Sequence, residues 1–348
     1  MNKKIYYINE TLKTKNDLKH KDPNKFDSNE IGLVLLNNQL MLMKYWIAFQ
    51  QQWINTNYRT FRDYDKYIIL IYLISKSWED DSDLFKFYSM DDYHSRQRIN
   101  LPNISLFEIA GDLKMPKETI RRKLIELEKE NIIIRKGQKI ILSELALKLQ
   151  KPGSSIKTLS IFFEKISILL SSKDWFGSAI SREDIESYFK NFYTIFWNHY
   201  FKFQIPFLTR WKIVFGDLET WMIWANMGIN QSTNLEKVSK NMNKKINLTE
   251  DNEENLYLNN IQRNEPRQGV NATSISEISG IPRATVLRKL KKLLREKIIR
   301  RNSKLEYILT NKGNLNKKIK DNYLINQKYI ALFVTDIFNL IKKSSLKI

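Results

Sequence analysis

Two stretches of the chain carry arginine and lysine side chains at helical spacing. The residues of interest in the first stretch are Lys117, Glu118, Thr119, Arg121 and Arg122. Those in the second are Arg283, Thr285, Arg288, Lys291, Lys292 and Arg295. A planar guanidinium can donate two hydrogen bonds to guanine O6 and N7, whereas lysine and threonine mainly contact phosphate. Both stretches therefore have the chemistry of polyanion binding.

Catalytic and metal-ligating residues form no comparable group. The chain has no cysteine, and its three histidines, His20, His94 and His199, are far apart in sequence. Its 10 glycines form none of the glycine-rich motifs that bind phosphate groups. We therefore predict that the protein is not an enzyme and binds neither a metal ion nor a cofactor.

Both basic stretches lie within an internal repeat. Residues 104–135 align with residues 270–301 without a gap, at a constant offset of 166 positions, and 11 of these 32 pairs are identical. Unrelated segments of ordinary composition would share about two. The identical pairs include Pro116 with Pro282 and Lys123 with Lys289. We interpret the repeat as a duplication.

Each copy has the pattern of two helices followed by a hairpin. Ser105 and Glu108 have the spacing of a capping box, and Pro116 suits the first turn of a second helix. That second helix has one apolar face, formed by Ile120, Leu124 and Leu127 in the first copy and by Val286, Leu290 and Leu293 in the second. Short β-branched runs around a turn come next and predict a small hairpin.

Particular residues of the two copies match a known DNA-binding pattern. In the first copy they are Glu108 to Ala110, Met115-Pro116, Thr119 to Leu124, Leu127 and Ile132 to Arg135. In the second copy they are Ser276, Gly280 to Val286, Arg288 to Leu290, Leu293 and Ile298 to Arg301. With these residues, each copy resembles the winged helix-turn-helix of bacterial transcription regulators, broadly of the MarR and IclR kind. The resemblance implies that the second helix enters the major groove of double-stranded DNA and that the hairpin contacts the backbone or the minor groove. The hairpin residues implied are Arg135, Lys136, Lys139, Arg300, Arg301 and Lys304.

The two copies differ on the face expected to meet DNA. Glu118 repels phosphate there unless it accepts a hydrogen bond from cytosine N4, and Leu287 stands where the first copy has Arg121. Residues 104–144 contain nine basic and seven acidic residues, whereas residues 270–310 contain ten basic and three acidic ones. We therefore expect the copies to read different sequences, with the second supplying most of the attraction to phosphate.

The segments around the copies repeat more loosely and indicate the domain organisation. We predict a mainly α fold with small β wings, in which two tandem winged helix-turn-helix units are embedded in apolar helices and related by a pseudo-two-fold axis. We predict a polar arm at 1–30. The first unit is predicted at 31–172, with its winged helix at 104–144 and its closing helix at 156–172. The second unit is predicted at 181–345, with helices at 181–228, a flexible insertion at 231–268, a winged helix at 270–310 and a closing helix at 315–343. Two modules in one chain predict a monomer that acts as an internal pseudo-dimer.

The composition favours a nucleic-acid partner over a membrane. The 348 residues include 58 Lys plus Arg against 38 Asp plus Glu, a formal net charge of +20. Such an excess on a helical chain favours binding to nucleic acid. No apolar run approaches the roughly 18 residues of a membrane span, and the N-terminal segment lacks an apolar signal region. We predict a cytoplasmic, nucleoid-associated protein.

The sequence thus predicts specific binding of double-stranded DNA and transcriptional regulation. Two alternatives stay open, a replication initiator of plasmid or phage type and a chromosome-organising scaffold whose winged helices contact proteins. A small-molecule effector between the aromatic helices also stays open, although we interpret the tryptophans of these helices as core packing. These tryptophans are Trp46, Trp53, Trp197, Trp211, Trp221 and Trp224.

Overall fold

Helices dominate the architecture. The computed structural model is 72% helical, and two small antiparallel sheets lie among the residues it describes. Those residues are 25–79, 88–137, 139–172, 178–241 and 269–345. The predicted mainly α class with small β elements is therefore confirmed. The predicted arm up to residue 24 and the predicted insertion beyond residue 241 lie outside the described residues.

The first half combines long helices with a three-stranded sheet. Its elements are α1 (Ser28–Asn37), α2 (Gln39–Phe61), α3 (Tyr64–Ser77), α4 (Met90–His94), β1 (Arg98–Asn100), α5 (Leu106–Leu113), α6 (Lys117–Lys129), β2 (Ile133–Lys136), β3 (Lys139–Ser143), α7 (Glu144–Leu149) and α8 (Ser155–Ser171). Polar caps begin five of these helices, because the side chains of Asp27, Asp63, Ser89, Ser105 and Ser143 accept backbone N–H groups of the first turn. The strands lie antiparallel in the order β1-β3-β2, with Ile133 opposite Leu142.

The second half repeats eight of these elements, and four of the helices have the same length in both halves. They are α9 (Arg182–Asn191), α10 (Tyr193–Phe215), α11 (Leu218–Asn241), α12 (Ala272–Ser279), α13 (Arg283–Arg295), β4 (Ile299–Arg301), β5 (Tyr307–Leu309) and α14 (Leu315–Ser345). α1 and α9 both have 10 residues and begin 154 positions apart, as do the 23-residue helices α2 and α10. α6 and α13 both have 13 residues and begin 166 positions apart. The chain between the third helix and the repeated pair is therefore longer in the second half.

The main helix contacts between the halves recur with the halves exchanged. α2 of the first half packs on α11 of the second, and its counterpart α10 packs on α3 of the first half. Likewise, α8 of the first half packs on α9, and its counterpart α14 packs on α1. Tyr58 donates a 2.8 Å hydrogen bond to Glu219. Lys212, the counterpart of Tyr58, forms a 2.6 Å ion pair with Asp65, the counterpart of Glu219. Reciprocal contacts of this kind are those that a self-complementary interface makes.

Aromatic side chains of α2 and α10 fill the centre of the molecule. Trp46 meets Phe203 edge to face with ring centroids 5.2 Å apart, and their counterparts Tyr200 and Phe49 repeat this contact at 5.2 Å. All six tryptophans named above are buried, none of them more than 7% exposed. Their interpretation as core packing is confirmed.

Three of the apolar helices predicted ahead of the two copies, one in the first half and two in the second, are in fact divided. The first is interrupted at Asn38, whose side chain donates to the carbonyl of Val34 and ends α1. Phe192 makes the corresponding break between α9 and α10, and Gly216, in the left-handed conformation, ends α10. The apolar pattern continues across Asn38 and Phe192 without a proline or glycine, so the sequence gives no signal for these breaks.

Other predicted boundaries also need correction. α11 continues to Asn241, past the predicted start of the insertion at 231. Gln231 is buried there, and its side-chain oxygen accepts the backbone N–H of Leu309 at 2.6 Å, which ties this part of α11 to β5. β1 is a further correction, since it joins the predicted hairpin as a third strand. Its three residues are too few to show a strand period.

Candidate nucleic-acid interface

α6 and α13 have matching local geometry. The apolar residues predicted to face inward are all buried, namely Ile120, Leu124, Leu127, Val286, Leu290 and Leu293. Each helix begins directly after a proline, Pro116 or Pro282. The preceding turn passes through the left-handed region at Lys114, with φ +52°, and at Gly280, with φ +76°. The turn is therefore the same in both copies despite the lysine.

The first turns of the two helices place the predicted residues similarly. Lys117 and Arg283 are exposed, and Thr119 and Thr285 are half-buried. Arg283 also donates a 3.2 Å hydrogen bond from Nε to Thr273 Oγ1 at the start of α12. Both helices thus present a cation at their N-terminal end.

Acidic neighbours hold the basic side chains of α6. Arg121 donates two hydrogen bonds, of 2.6 and 2.8 Å, to the exposed carboxylate of Glu118. These bonds lower the pKa of Glu118 below its ordinary value. Arg122 lies 3.9 Å from Glu126 on the next turn. Both arginines on the predicted DNA face of α6 are therefore close to carboxylates of the same helix.

The charged residues on the exposed face of α13 are all cations. No acidic residue occurs between Arg283 and Arg295. Arg288, Lys291 and Arg295 are exposed, lie on one face, and have no ion-pair partner in the part of the chain that the structure describes. Lys292 is different, because it is half-buried and its Nζ donates 2.7 Å to the carbonyl of Phe215 at the end of α10.

The basic side chains are also more exposed in the second hairpin than in the first. In the first, Arg135 is half-buried and lies 3.7 Å from Glu128, while Lys136 and Lys139 are exposed and opposite one another. In the second, the exposed predicted residues are Arg300, Arg301 and Lys304. Cationic surface is therefore concentrated in the second copy, on α13 and its hairpin.

Sequence reasoning missed the lysines that anchor these helices. Lys123 lies 2.6 Å from Asp63 at the start of α3, and Lys289 lies 2.6 Å from Asp217 at the start of α11. Both lysines are mostly buried, with side chains 11% and 12% exposed. The one sequence signal for this anchoring role was that the same lysine occurs at the corresponding position of both copies.

Sequence reasoning also missed a contact between the two halves at the turn that joins α12 to α13. Arg59 donates from Nη2 to the carbonyls of Glu277 and Ile278 at 2.8 and 3.1 Å. Arg62 donates from Nη1 to the carbonyl of Gly280 at 2.9 Å. The C-terminal end of α12 is therefore capped by α2 of the other half.

The described residues offer neither a metal-ligand group nor a membrane-spanning helix. They contain no group of acidic and histidine side chains that could hold a metal ion. Burial, and next the charge of Lys151, lower the pKa of His94 to about 4, and the ring packs against Tyr93 and Tyr193. None of the described helices is long and apolar enough to cross a membrane.

Two cavities lie beside the aromatic helices. The smaller, of about 120 Å³, is lined by Trp46, Trp211, Trp221 and Trp224 among others. The larger, of about 720 Å³, lies between α3, α5, α10 and α14 and includes Arg210 in its wall. The Arg210 guanidinium donates to the side-chain oxygen of Asn326 and lies 4.3 Å from the ring centroid of Tyr329. Burial lowers the pKa of Arg210 to about 10.

Comparison with known proteins assigns no family to this interface. No protein-family model, curated protein or solved structure matches the chain. Its function is therefore argued from the geometry above.

Proposed function

We propose that the protein binds double-stranded DNA sequence-specifically through two winged helix-turn-helix modules and regulates transcription. The observation that carries this proposal is the exposed row of Arg288, Lys291 and Arg295 on α13, a helix without an acidic residue. Cations on the outer face of a helix that follows a tight turn have the geometry for phosphate and base-edge contacts in a major groove. In this proposal α6 and α13 are the recognition helices, and the hairpins are wings.

The local architecture supports two such modules. α5 and α6 pack on each other and on α3, with the sheet β1-β3-β2 behind them. α12 and α13 pack on each other and on α11, and Val270 pairs with Tyr307 beside the hairpin of β4 and β5. Two helices joined by a tight turn, with a third helix beneath them, form the helix-turn-helix unit.

The reciprocal contacts support a pseudo-two-fold arrangement within one chain. Two-fold DNA-binding dimers place their recognition helices on half-sites about one DNA turn apart. We infer that this chain presents both modules covalently and acts as a monomer on one site. A replication initiator has the same local geometry, but should bind several direct repeats at an AT-rich origin rather than a short pseudo-palindrome.

The larger cavity supports the effector that the sequence left open. Arg210 has no carboxylate partner in the part of the chain that the structure describes, although burial disfavours its charge. Arg210 is half-buried, and a partly buried charge without a counterion favours a ligand of opposite sign. We therefore propose a small organic anion as effector. Benzoate should raise the thermal unfolding midpoint of the wild type but not of Arg210→Met, and benzamide should raise neither.

The test of DNA binding compares two variants with equal loss of charge. Duplexes selected from a random pool provide the preferred site, and fluorescence anisotropy measures affinity at several salt concentrations. The triple variant Arg288→Ala, Lys291→Ala, Arg295→Ala should bind every duplex more weakly and reduce the salt slope by about 2–3. The control replaces the exposed lysines Lys317, Lys318 and Lys328 of α14 by alanine and should bind like the wild type.

Three results would decide against parts of the proposal. Identical binding by the α13 variant and the α14 control rejects α13 as a recognition helix. Light scattering and titration should give one chain per short site, so a requirement for two chains rejects the internal pseudo-dimer while leaving DNA binding intact. An affinity that hardly changes with salt favours the protein scaffold instead.

A further inference from the structure

The tip of the second hairpin, residues 302–306, is organised around one asparagine. The side-chain oxygen of Asn302 accepts the backbone N–H groups of Lys304 and Glu306 at 3.0 and 2.9 Å. Its Nδ2 donates 2.8 Å to Glu306 Oε2, and that carboxylate also accepts the backbone N–H of Gly269 at 2.9 Å. These bonds hold the tip in a defined shape.

Leu305 stands at this tip in a conformation that leucine rarely adopts. Its φ is +61°, and the residue is 69% exposed to solvent. The left-handed region crowds the Cβ of an L residue, so that glycine or asparagine usually occupies it. The first hairpin turns through Gly137 at the same φ of +61°. The turn therefore does not require leucine, and packing does not explain its side chain.

Three basic residues lie on the same hairpin as this exposed leucine, and the acidic Glu306 follows it directly. Arg300, Arg301 and Lys304 are all exposed on the same hairpin. Arg301 is held in place, since its Nη2 donates 2.6 Å to Tyr307 Oη and its guanidinium lies 4.9 Å from the ring centroid. An apolar tip with cationic flanks fits the minor groove, where phosphates line both edges and apolar side chains can insert between base steps.

We propose that Leu305 is an apolar wedge, which enters the minor groove of the bound duplex and makes the second wing select an A·T-rich, easily deformed step. This inference rests on the proposed DNA binding. Guanine places its N2 amino group in the minor groove, where it obstructs an apolar side chain, whereas A·T pairs leave that space open. TA steps also unstack readily. Leu305 would thus determine specificity at positions that α13 does not read.

Two variants of the full-length protein separate the properties of this leucine. Leu305→Asn fits the left-handed backbone but removes the apolar group, whereas Leu305→Met keeps an apolar group on the same backbone. We expect L305N to unfold at the same or a higher urea concentration than the wild type, yet to bind the selected duplex about tenfold more weakly. L305M should bind within about twofold of the wild type.

Base substitution tests the groove directly. Replacing an A·T pair beneath the wing by inosine·cytosine alters the major groove but adds no amino group to the minor groove. The wild type should retain its affinity for this duplex and lose about tenfold on the G·C duplex. L305N should bind the three duplexes alike.

The possible failures can be told apart. Equal affinity of L305N and the wild type for the selected duplex overturns the wedge. Equal loss of affinity in L305N and L305M also overturns it, because the leucine would then have a structural role alone. If the wild type binds no duplex at any salt concentration, the proposed function is wrong, and this inference is wrong with it.

Discussion

Lys123 Nζ lies 2.6 Å from Asp63 Oδ2, and the counterpart pair in the second half, Lys289 and Asp217, has the same separation. Asp63 and Asp217 stand directly before α3 and α11, where each also accepts a backbone N–H group of the first turn. Each lysine therefore ties α6 or α13 to the start of the helix on which it packs. The two modules are attached to their supporting helices in the same way.

Asp63→Asn should destabilise the protein while keeping the helix cap, because asparagine caps a helix as well as aspartate. Burial raises the pKa of Asp63, but the hydrogen bonds from Lys123 and from the backbone of Asp65 and Lys66 outweigh it and hold the pKa below the ordinary 3.8. A folded carboxyl with a depressed pKa stabilises the protein above pH of about 4, and this contribution is lost as the pH falls through the folded value. We expect a loss of about 1.5–3 kcal/mol at pH 7.

Urea unfolding at pH 7 and at pH 2.5 measures this effect. The difference in stability between wild type and variant should shrink at the lower pH, because the carboxyl takes up a proton in the unfolded chain below its ordinary pKa of 3.8. A difference of the same size at both values contradicts the ion pair as its cause.

The repeated part of the fold could be predicted because it depends on local signals. Ser105 caps α5 by accepting the backbone N–H of Glu108 at 3.0 Å, as the capping box predicts. The partner of Lys123 could not be predicted in this way. Asp63 lies far away in sequence, and identity between two copies does not say whether a lysine faces DNA or a neighbouring helix.

Lys292→Ala and Arg288→Ala should affect different properties. Lys292 donates to the carbonyl of Phe215, so its loss should lower stability by about 1–2 kcal/mol with little effect on DNA affinity. Arg288 is exposed, so its loss should leave stability within about 0.5 kcal/mol and weaken binding to the selected duplex by about 1–3 kcal/mol. Urea unfolding and anisotropy titration separate the two. Equal losses of affinity would assign Lys292 to the interface as well.

Glu118→Gln should strengthen binding to random duplexes. Glu118 holds Arg121 in a two-point contact, and its replacement removes a negative charge and releases the arginine toward phosphate. The salt slope should become steeper by about 1, and the preference for the selected duplex should decrease. The matched control is Glu144→Gln, which removes another exposed carboxylate, paired with Lys148 at 2.6 Å on α7. If both variants change binding alike, net charge alone is responsible.

Only part of the candidate interface could be predicted from residue spacing. The buried and exposed faces of α6 and α13 follow from helical periodicity. Which cations remain available does not, because this depends on tertiary contacts such as that of Lys292 with Phe215. Lys291 and Lys292 are adjacent in the helix. Only the position of α10 shows that Lys292 binds the end of that helix, whereas Lys291 stays exposed.

Replacing both Arg59 and Arg62 by alanine should loosen the second module. The carbonyls at the end of α12 would lose their donors, so amide hydrogen exchange in α12 and α13 should accelerate, corresponding to a loss of about 1–3 kcal/mol of local stability. Affinity for the selected duplex should fall, and the double lysine variant should restore part of it. Exchange in α5 and α6 is the internal control and should not change. Acceleration throughout the chain would indicate general destabilisation instead.

The capping of α12 by Arg59 and Arg62 has no equivalent in the other direction. The counterparts of these arginines are Ile213 and Gly216, whose side chains offer no hydrogen-bond donor. A dimer of identical subunits cannot maintain such a difference, because a substitution in its gene changes both sides. Here the two sides are encoded separately and can diverge. A protein bound to a duplex through both modules would therefore be asymmetric along the DNA. A neighbouring protein on the same duplex could then contact one side of it and not the other.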